Sequence, residues 1–249
     1  MTYKFDEDFA GYPPIEQIQP NLAALSSLLG APGFLARAED PVWGPGEFVL
    51  ARASAAIRQH GLCTLTPVWD ATLRTYRMDA AEAPATANLG RPLYVAQCYG
   101  ALTTGQYAWF MTSGITPVNG NATVAADTVY GIAAAGQAGA NVAGRQVLNS
   151  RIVTPATQTV VKAAISGDVG TRIINVANTD GWFVGGYISG TGIPAASTIV
   201  NMDPLGKFVI ISADITATVT GNVTVTYNNA TIFYNVAHLN RAGAQGAIT

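Results

Sequence analysis

The chain has 249 residues, of which 49% are apolar and only 11% are charged, and its formal net charge is −2. An average globular protein carries about 25% charged residues, so Thr, Ser, Asn, Gln, Gly and Ala must cover most of this surface. Such a surface suits a protein packed into a large assembly, or an extracellular β protein. No basic block supports free-standing nucleic-acid binding. No apolar run is long enough to span a membrane, and the acidic N-terminus lacks the apolar segment of a secretory signal.

Residues 1–45 are predicted to form an extended N-terminal arm with one short helix. Six prolines interrupt this segment, which holds six acidic and two basic residues. Residues 21–29 place four leucines, including Leu22 and Leu25, on one helical face, and a glycine follows as a stop signal. We expect this stripe either to pack on the body of the chain or to reach a neighbouring subunit.

Residues 46–155 are predicted to form a β-barrel or sandwich body. Gly, Pro, Asn and Asp separate short apolar runs at the spacing typical of such folds. An Asn-Gly pair at positions 119–120 indicates a tight hairpin. The predicted strands are Glu47–Ala53, Leu62–Val68, Leu73–Met78, Leu93–Gln97, Gln106–Met111, Ala122–Ala125 and Thr128–Ile132.

Residues 156–230 are predicted to form a second, small β unit, an immunoglobulin-like or similar sandwich. Residues 231–249 are predicted to form a C-terminal tail, of which residues 240–249 are small and polar and lie extended. Thr alternates with apolar residues along positions 215–226, which indicates a two-faced strand pair joined at Gly221 and Asn222. The predicted strands are Ile173–Ala177, Trp182–Ser189, Thr198–Val200, Phe208–Ser212, Ile215–Thr220 and Asn222–Tyr227.

The segment Gly190-Thr-Gly-Ile-Pro-Ala195 nearly matches the Gly-x-Gly-x-x-Ala loop that binds a dinucleotide. That loop requires a helix directly after it, because the helix N-terminus supplies the amides that bind the phosphates. Only nine residues separate Pro194 from Pro204, and they end in β-branched residues that favour a strand. We therefore expect Gly190 and Gly192 to serve a tight turn with positive φ, and no cofactor.

The residue types needed for catalysis or metal binding do not occur at suitable spacing. His60 and Cys63 would point to opposite faces of a strand, which disfavours a nucleophilic pair. Cys63 and Cys98 are expected to stay reduced in a protein made in the cytoplasm. The cysteines and histidines lack zinc spacing, and the aspartates form no calcium loop. Aromatic residues such as Trp69 would allow sugar stacking, although aromatics in sheets more often pack in the core.

Two stretches resemble parts of bacteriophage virion proteins. Phe183–Tyr227, with the turn Val-Gly-Gly-Tyr-Ile-Ser-Gly-Thr-Gly-Ile-Pro and the later Ile-Ser-Ala-Asp-Ile-Thr-Ala-Thr, resembles a β module that recurs in phage structural proteins. Gly105–Ala140 resembles the small β body of phage head decoration, or cement, proteins. The resemblance implies a non-enzymatic virion protein on the outer capsid surface, made in the host cytoplasm, which bridges capsid subunits. It implies the major capsid protein and further copies of the chain as partners, and neither nucleic acid nor membrane.

The arginines indicate where such contacts would lie, because Arg is enriched at interfaces. Residues 46–155 carry seven Arg against five acidic residues, whereas residues 156–230 are nearly neutral. We expect the first unit to face the capsid and the second to project outward as a separate knob. The alternative function is a tail or fibre module that binds host-surface glycans. The candidate capsid or oligomer contacts are Arg52, Arg58, Arg74, Arg77, Arg91, Leu22 and Leu25.

Overall fold

A computed structural model describes residues 4–5, 35–40, 43–71, 74–98, 100–203, 205–229 and 231–247. Within these residues the fold is all-β, as predicted, and contains no helix. It follows that this part of the chain has no helix capable of crossing a membrane. The helix predicted at residues 21–29, with Leu22 and Leu25, lies outside the described residues.

The strands form two sheets, one of 11 strands and one of six. The large sheet contains β1 (Lys4–Phe5), β2 (Leu35–Asp40), β3 (Gly44–Ala53), β4 (Leu62–Asp70), β5 (Thr75–Glu82), β6 (Tyr94–Gln97), β7 (Tyr107–Gly120), β8 (Gly131–Ala134), β9 (Gln137–Gly139), β10 (Val147–Thr154) and β17 (Phe233–Ala244). The small sheet contains β11 (Thr159–Ser166), β12 (Ile173–Val176), β13 (Tyr187–Ser189), β14 (Ile199–Met202), β15 (Phe208–Ile211) and β16 (Asn222–Thr226).

Part of the large sheet closes into a barrel. The pairings run from β3 to β5, β4, β6 and β7, and β7 pairs back onto β3. The side chains inside this ring are mostly small, which suits a barrel of few strands because its interior is narrow. They are Ala51, Ala53, Ile57, Cys63, Ala80, Ala96, Cys98, Leu102, Ala108 and Phe110.

The strands β3 and β7 are buried on both faces. Phe48 and Leu50 of β3, and Trp109 and Met111 of β7, point away from the barrel interior and pack in a second cluster with residues of β17. This burial on both faces explains why residues 107–111 form an almost continuous apolar run, since a strand with one solvated face would alternate apolar and polar residues.

The predicted C-terminal tail is wrong, because Phe233–Ala244 forms β17 between β7 and β10. The strand contains apolar residues such as Val236 and Leu239, which are buried, and only the residues from Asn240 onward are mostly small and polar. The buried Asn235 accepts hydrogen bonds from the backbone N–H groups of Val124 and Ala156. Strand pairing satisfies the backbone as well, so β17 can lie in the interior with its one buried amide side chain hydrogen-bonded.

The predicted hairpin at residues 119–120 is also wrong. β7 continues to Gly120 and pairs with β17 along its second half. The side chain of Asn119 is buried, where its Oδ1 accepts from Gln137 Nε2 at 2.9 Å and its Nδ2 donates to the Gln59 carbonyl at 3.3 Å. Partners that are distant in sequence thus hold an Asn-Gly pair in a strand. The strand predicted at residues 122–125 is irregular backbone.

All six strands of the small sheet lie within the predicted second unit, in the order β13-β16-β11-β12-β15-β14. β11 was not predicted, and the strand predicted at residues 215–220 is irregular backbone. Ile215 and Val219 of that segment are buried in the core of the unit. Their N–H groups donate to the carbonyls of Thr171 and Gly167, so loop contacts replace the expected strand pairing.

Candidate functional site

Residues 65–70 of β4 and 75–80 of β5 form a two-stranded extension of the sheet, which we call the ribbon. β4 pairs with β6 only at Leu62 and Cys63, and β5 pairs with β3 only at Asp79 and Ala80. Beyond those positions, each of the two strands is paired with the other alone among the described strands. A two-stranded hairpin is at best marginally stable in water, so side-chain contacts must support the ribbon.

One face of the ribbon is aromatic at its tip. Trp69 and Tyr76 stand opposite each other in register, with ring centroids 5.3 Å apart and ring planes at 70°. They are 53% and 62% exposed, respectively. Side chains of this size are seldom left so open to water on a monomer surface unless they meet a partner.

The aromatic face of the ribbon continues the inner wall of the barrel. Pro67 and Met78 form the next pair on this face, and Leu65 follows. The side chains of Leu65 and Met78 are partly buried and pack against the barrel core. The apolar surface therefore runs without a break from the buried barrel interior to the exposed tip.

The opposite face of the ribbon carries a compact ion cluster. Arg77 Nη1 donates to Asp70 at 2.5 Å and Arg77 Nε donates to Asp79 at 2.9 Å. Hydrogen bonding to Asp79 and then to Asp70 raises the pKa of Arg77. The guanidinium is thus neutralised within the ribbon and is not presented to an acidic partner.

The other candidate arginines do not join Arg77 in one basic patch. Arg58 Nη1 donates to Glu82 at 2.5 Å and to the Ala135 carbonyl at 2.7 Å. Arg74 is exposed in the turn of the ribbon, with a φ of 51°.

Arg52 and Arg91 lie in two further places. Arg52 is half-buried on β3, near enough to Tyr107 that its charge opposes the burial that raises the pKa of Tyr107. Arg91 is exposed beside the end of β17, where its carbonyl accepts from the N–H of Ala244. The five arginines therefore serve different local contacts, because neighbouring strands separate them.

A buried junction connects the small sheet to the barrel. The Val184 carbonyl accepts hydrogen bonds from Gln59 Nε2 at 2.8 Å and from His60 Nε2 at 3.0 Å. Because a carbonyl only accepts, the proton of His60 lies on Nε2. The Nδ1 atom of His60 is buried and has no hydrogen-bond partner among the described residues. Burial lowers the pKa of His60 from its ordinary value of 6.5 to about 4, although the hydrogen bond to Val184 opposes this.

Aromatic side chains pack around His60 in the junction. Phe183 meets Tyr227 and Tyr234 edge to face, with ring centroids 4.9 and 5.2 Å apart, and Tyr234 also contacts His60. Phe183 and Tyr227, which belong to the second unit, pack in the same core cluster as Trp109 of the barrel. The second unit is thus not the separate knob that we expected, because its own aromatic residues complete the core of the first.

The two thiols are free and buried inside the barrel. Burial raises the pKa of Cys63 well above its ordinary value and that of Cys98 to about 12. Their sulfur atoms donate to the carbonyls of Gly61 and Gly100. A buried, protonated thiol is inert. Nor do the described residues hold a group of three His, Cys, Asp or Glu side chains placed to bind a metal.

The glycine segment at 190–195 connects β13 to β14 as a turn, without a helix. Gly192 has the expected positive φ of 83°, whereas Gly190 does not lie in the left-handed region. A Cβ at position 192 would overlap the carbonyl oxygen of Ala217. The glycine at 192 is therefore required by packing against the neighbouring loop as well as by its backbone angle.

The ribbon tip and the junction were not singled out by the sequence analysis, although Trp69 was named as a possible sugar-stacking residue. The ribbon had a signal, since Trp69 directly follows the predicted strand Leu62–Val68 and Tyr76 lies in the next predicted strand, Leu73–Met78. The junction had none, because Phe183 and Tyr234 are 51 positions apart in the chain. Comparisons with protein-family models, with curated proteins and with solved structures find no match for this chain.

Proposed function

We propose that this chain is a non-enzymatic structural protein of a phage virion, which binds the outer capsid surface and stabilises it by bridging capsid subunits. The single observation that carries the proposal is the ribbon, which presents Trp69 and Tyr76 to solvent at the end of a two-stranded extension. A projecting element supports bridging, because it can contact one subunit while the barrel contacts another. The major capsid protein is the proposed partner.

The chemistry of the ribbon supports an apolar contact. Aromatic residues dominate binding energy when a partner removes them from water, and the charge of Arg77 is already satisfied by Asp70 and Asp79. We therefore assign the capsid contact to the aromatic face and not to free arginines. In this arrangement residues 46–155 face the capsid, and the second unit, a small β-sandwich in our proposal, points outward.

The experiment measures occupancy on capsids that lack the protein. We expect the full-length Trp69→Ser/Tyr76→Ser variant to lose occupancy by about tenfold or more, since truncating an aromatic hot spot typically costs at least about 2 kcal/mol of binding. Binding of the unsubstituted chain should change little with salt, because exposed ion pairs are screened but apolar contacts are not.

A matched control replaces exposed apolar residues outside the ribbon. Val129 and Val142 are 47% and 48% exposed, and Val129→Ser/Val142→Ser should bind as the unsubstituted chain does. Full occupancy by the Trp69→Ser/Tyr76→Ser variant would refute the ribbon contact. Failure of the unsubstituted chain to bind capsids at all would refute the virion function.

Glycan binding is a second candidate, and the exposed ring of Trp69 favours it because sugars stack on such faces. Specific sugar recognition also needs several polar groups beside the ring, whereas among the neighbours of Trp69 on its own face, Pro67, Tyr76 and Met78, only Tyr76 carries one. Titration with host-surface polysaccharide separates the two functions. Saturable binding that Trp69→Ser abolishes, together with no capsid binding, would favour the glycan module.

A further inference from the structure

The ion cluster of Arg77, Asp70 and Asp79 connects the tip of the ribbon to its base. Asp70 is the last residue of β4 before the turn, whereas Asp79 lies at the base, where it pairs with Arg52 of β3. Arg77 lies between the two aspartates on the same face of the ribbon. Its Nη1 atom donates to Asp70, and its Nε and Nη2 atoms donate to Asp79 at 2.9 and 3.4 Å. One guanidinium therefore links β4 to β5 and the tip to the base.

The cluster is largely withdrawn from water. The side chains of Arg77, Asp70 and Asp79 are only 18%, 15% and 13% exposed, whereas the arginines of the other ion pairs between described residues are 47% to 76% exposed. A partly buried pair is screened by salt much less than an exposed one. Removing one partner of such a pair is costly, because it leaves a charge without a partner away from water. The cluster therefore has the environment, as well as the geometry, to hold the ribbon.

The other contacts of the ribbon weaken toward its tip. On the aromatic face, Leu65 and Met78 pack against the barrel core, whereas Trp69 and Tyr76 beyond them contact each other and are more than half exposed. Among the described strands, the backbone of the outer part is paired only within the ribbon, and a two-stranded hairpin by itself is at best marginally stable. The cluster on the opposite face therefore adds support where the ribbon has least of it.

The cluster also lies against the barrel. Burial raises the pKa of the Tyr107 hydroxyl, while the charges of Arg52 and Arg77 oppose this rise and those of Asp79 and Asp70 add to it. All four charged side chains are therefore close to Tyr107, the first residue of β7. The cluster thus joins the ribbon to β3 and β7, the two strands that are buried on both faces.

We propose that Arg77 is the positioning residue of the ribbon, which holds the two strands in the paired form that places Trp69 beside Tyr76. Arginine suits this role because its planar fork can bond two carboxylates at once, whereas the ammonium of lysine is a point charge. Arg77 lies on the face opposite to the aromatic pair, so it acts through the backbone and does not touch a partner bound there. The consequence for capsid binding rests on the proposed function, but the order of the ribbon can be measured without a capsid.

Hydrogen exchange of the full-length chain, followed by mass spectrometry of peptides from the ribbon, tests this inference. Arg77→Met should speed the exchange of the ribbon amides at least about tenfold, because it removes charge-assisted hydrogen bonds and leaves two carboxylates without their cation. Exchange in β17 should not change, since β17 lies between β7 and β10 and makes no pair with the ribbon. Arg74→Met is the matched control, because Arg74 is exposed in the turn of the same ribbon, and it should leave ribbon exchange unchanged.

Arg77→Lys is a second variant, which retains the charge and decides the test if Arg77→Met does not fold. Its ribbon amides should also exchange faster than those of the unsubstituted chain, because an ammonium does not reproduce the fork. The inference is overturned if the ribbon of a folded Arg77 variant exchanges as slowly as that of the unsubstituted chain. It is equally overturned if exchange in β17 rises as much as in the ribbon, because that result indicates a general loss of stability.

Binding rates on capsids separate positioning from contact. Any loss of occupancy in Arg77→Met should come from a lower association rate constant, because only molecules with an ordered ribbon are competent to bind. The dissociation rate constant should stay the same. A raised dissociation rate constant with unaltered ribbon exchange would show that Arg77 contacts the partner, which overturns the inference. If the unsubstituted chain does not bind capsids, the proposed function fails and hydrogen exchange still decides the role of Arg77.

Discussion

The ribbon and the junction use the same aromatic chemistry in opposite environments. Trp69 and Tyr76 of the ribbon meet edge to face at 5.3 Å, and Phe183 and Tyr234 of the junction do so at 5.2 Å. The ribbon pair is more than half exposed, whereas Phe183 and Tyr234 are 0% and 3% exposed. Because stabilisation scales with the apolar area removed from water, the junction pair stabilises the fold, whereas the ribbon pair contributes little to it.

The largest effect should come from the junction. Phe183→Ala should lower the free energy of unfolding by about 3–5 kcal/mol, since it removes a fully buried ring that contacts Tyr227 and Tyr234. Urea denaturation followed by fluorescence measures this. The matched variant Trp69→Ala should change stability far less. Equal losses in the two variants would contradict the contrast between the regions.

Acid should also act on the junction. The pKa of His60 is lowered to about 4 in the folded chain, so below 6.5 the unfolded chain binds the proton more readily. Stability from this group is complete above pH 6.5 and falls as the pH drops toward 4, by about 3 kcal/mol in total. The titratable side chains beside the ring are the phenol of Tyr234 and the thiol of Cys98, which stay neutral over this pH range.

The control for this prediction is His60→Asn, because Asn tolerates the φ of 54° found at position 60 but does not titrate. Unfolding free energies measured from pH 7 to pH 4 should fall less steeply in His60→Asn than in the unsubstituted chain. The same acid dependence in both proteins would show that His60 is not the group responsible.

A backbone contact in the second unit should have a somewhat smaller effect. Gly192→Ala should cost about 2–3 kcal/mol, because the new Cβ meets the Ala217 carbonyl and the residue keeps a positive φ. Gly221 has a similar φ of 77° with open space around it. Thermal unfolding should therefore show a loss of only about 1 kcal/mol for Gly221→Ala. Equal losses of stability in Gly192→Ala and Gly221→Ala would show that the contact with Ala217 adds nothing to the cost at position 192.

The smallest effect on stability belongs to the ribbon tip. Trp69→Ser/Tyr76→Ser should change the free energy of unfolding by about 1 kcal/mol or less, since the substituted side chains are mostly in water and lose chiefly their mutual contact. The same variant should lose capsid occupancy. A large loss of stability would contradict the exposure of the tip to water.

Local patterns predicted much of the strand content. Alternating or β-branched runs between turn residues located β3, β4, β6, β12 and β15 to within a few positions, because local propensity and burial agree there. The positive φ of Gly192 followed from the short connection between two strands. The pattern placed β5 too early along the chain, since Arg74, which it assigned to the strand, lies in the turn of the ribbon.

Long-range strand pairing explains why some elements were not predicted from the sequence. β17 and the end of β7 contain polar side chains, Asn235 and Asn119, that local rules assign to a tail and a turn. Both are buried in the structure because distant backbone groups satisfy their hydrogen bonds. β11 was missed because its apolar residues Val161 and Ile165 face outward, which is the reverse of the usual orientation.

By itself, the sequence determined that the chain is all-β, that its charge is low and that Gly192 lies in a turn. These properties depend on composition and on neighbours along the chain. Tertiary structure alone decided that Phe183 packs in the cluster between the outside of the barrel and β17. It also decided that Arg77 is neutralised by two aspartates and that Trp69 remains open to water. Each of these depends on which strands pair, and pairing brings together residues whose separation in sequence carries no local signal.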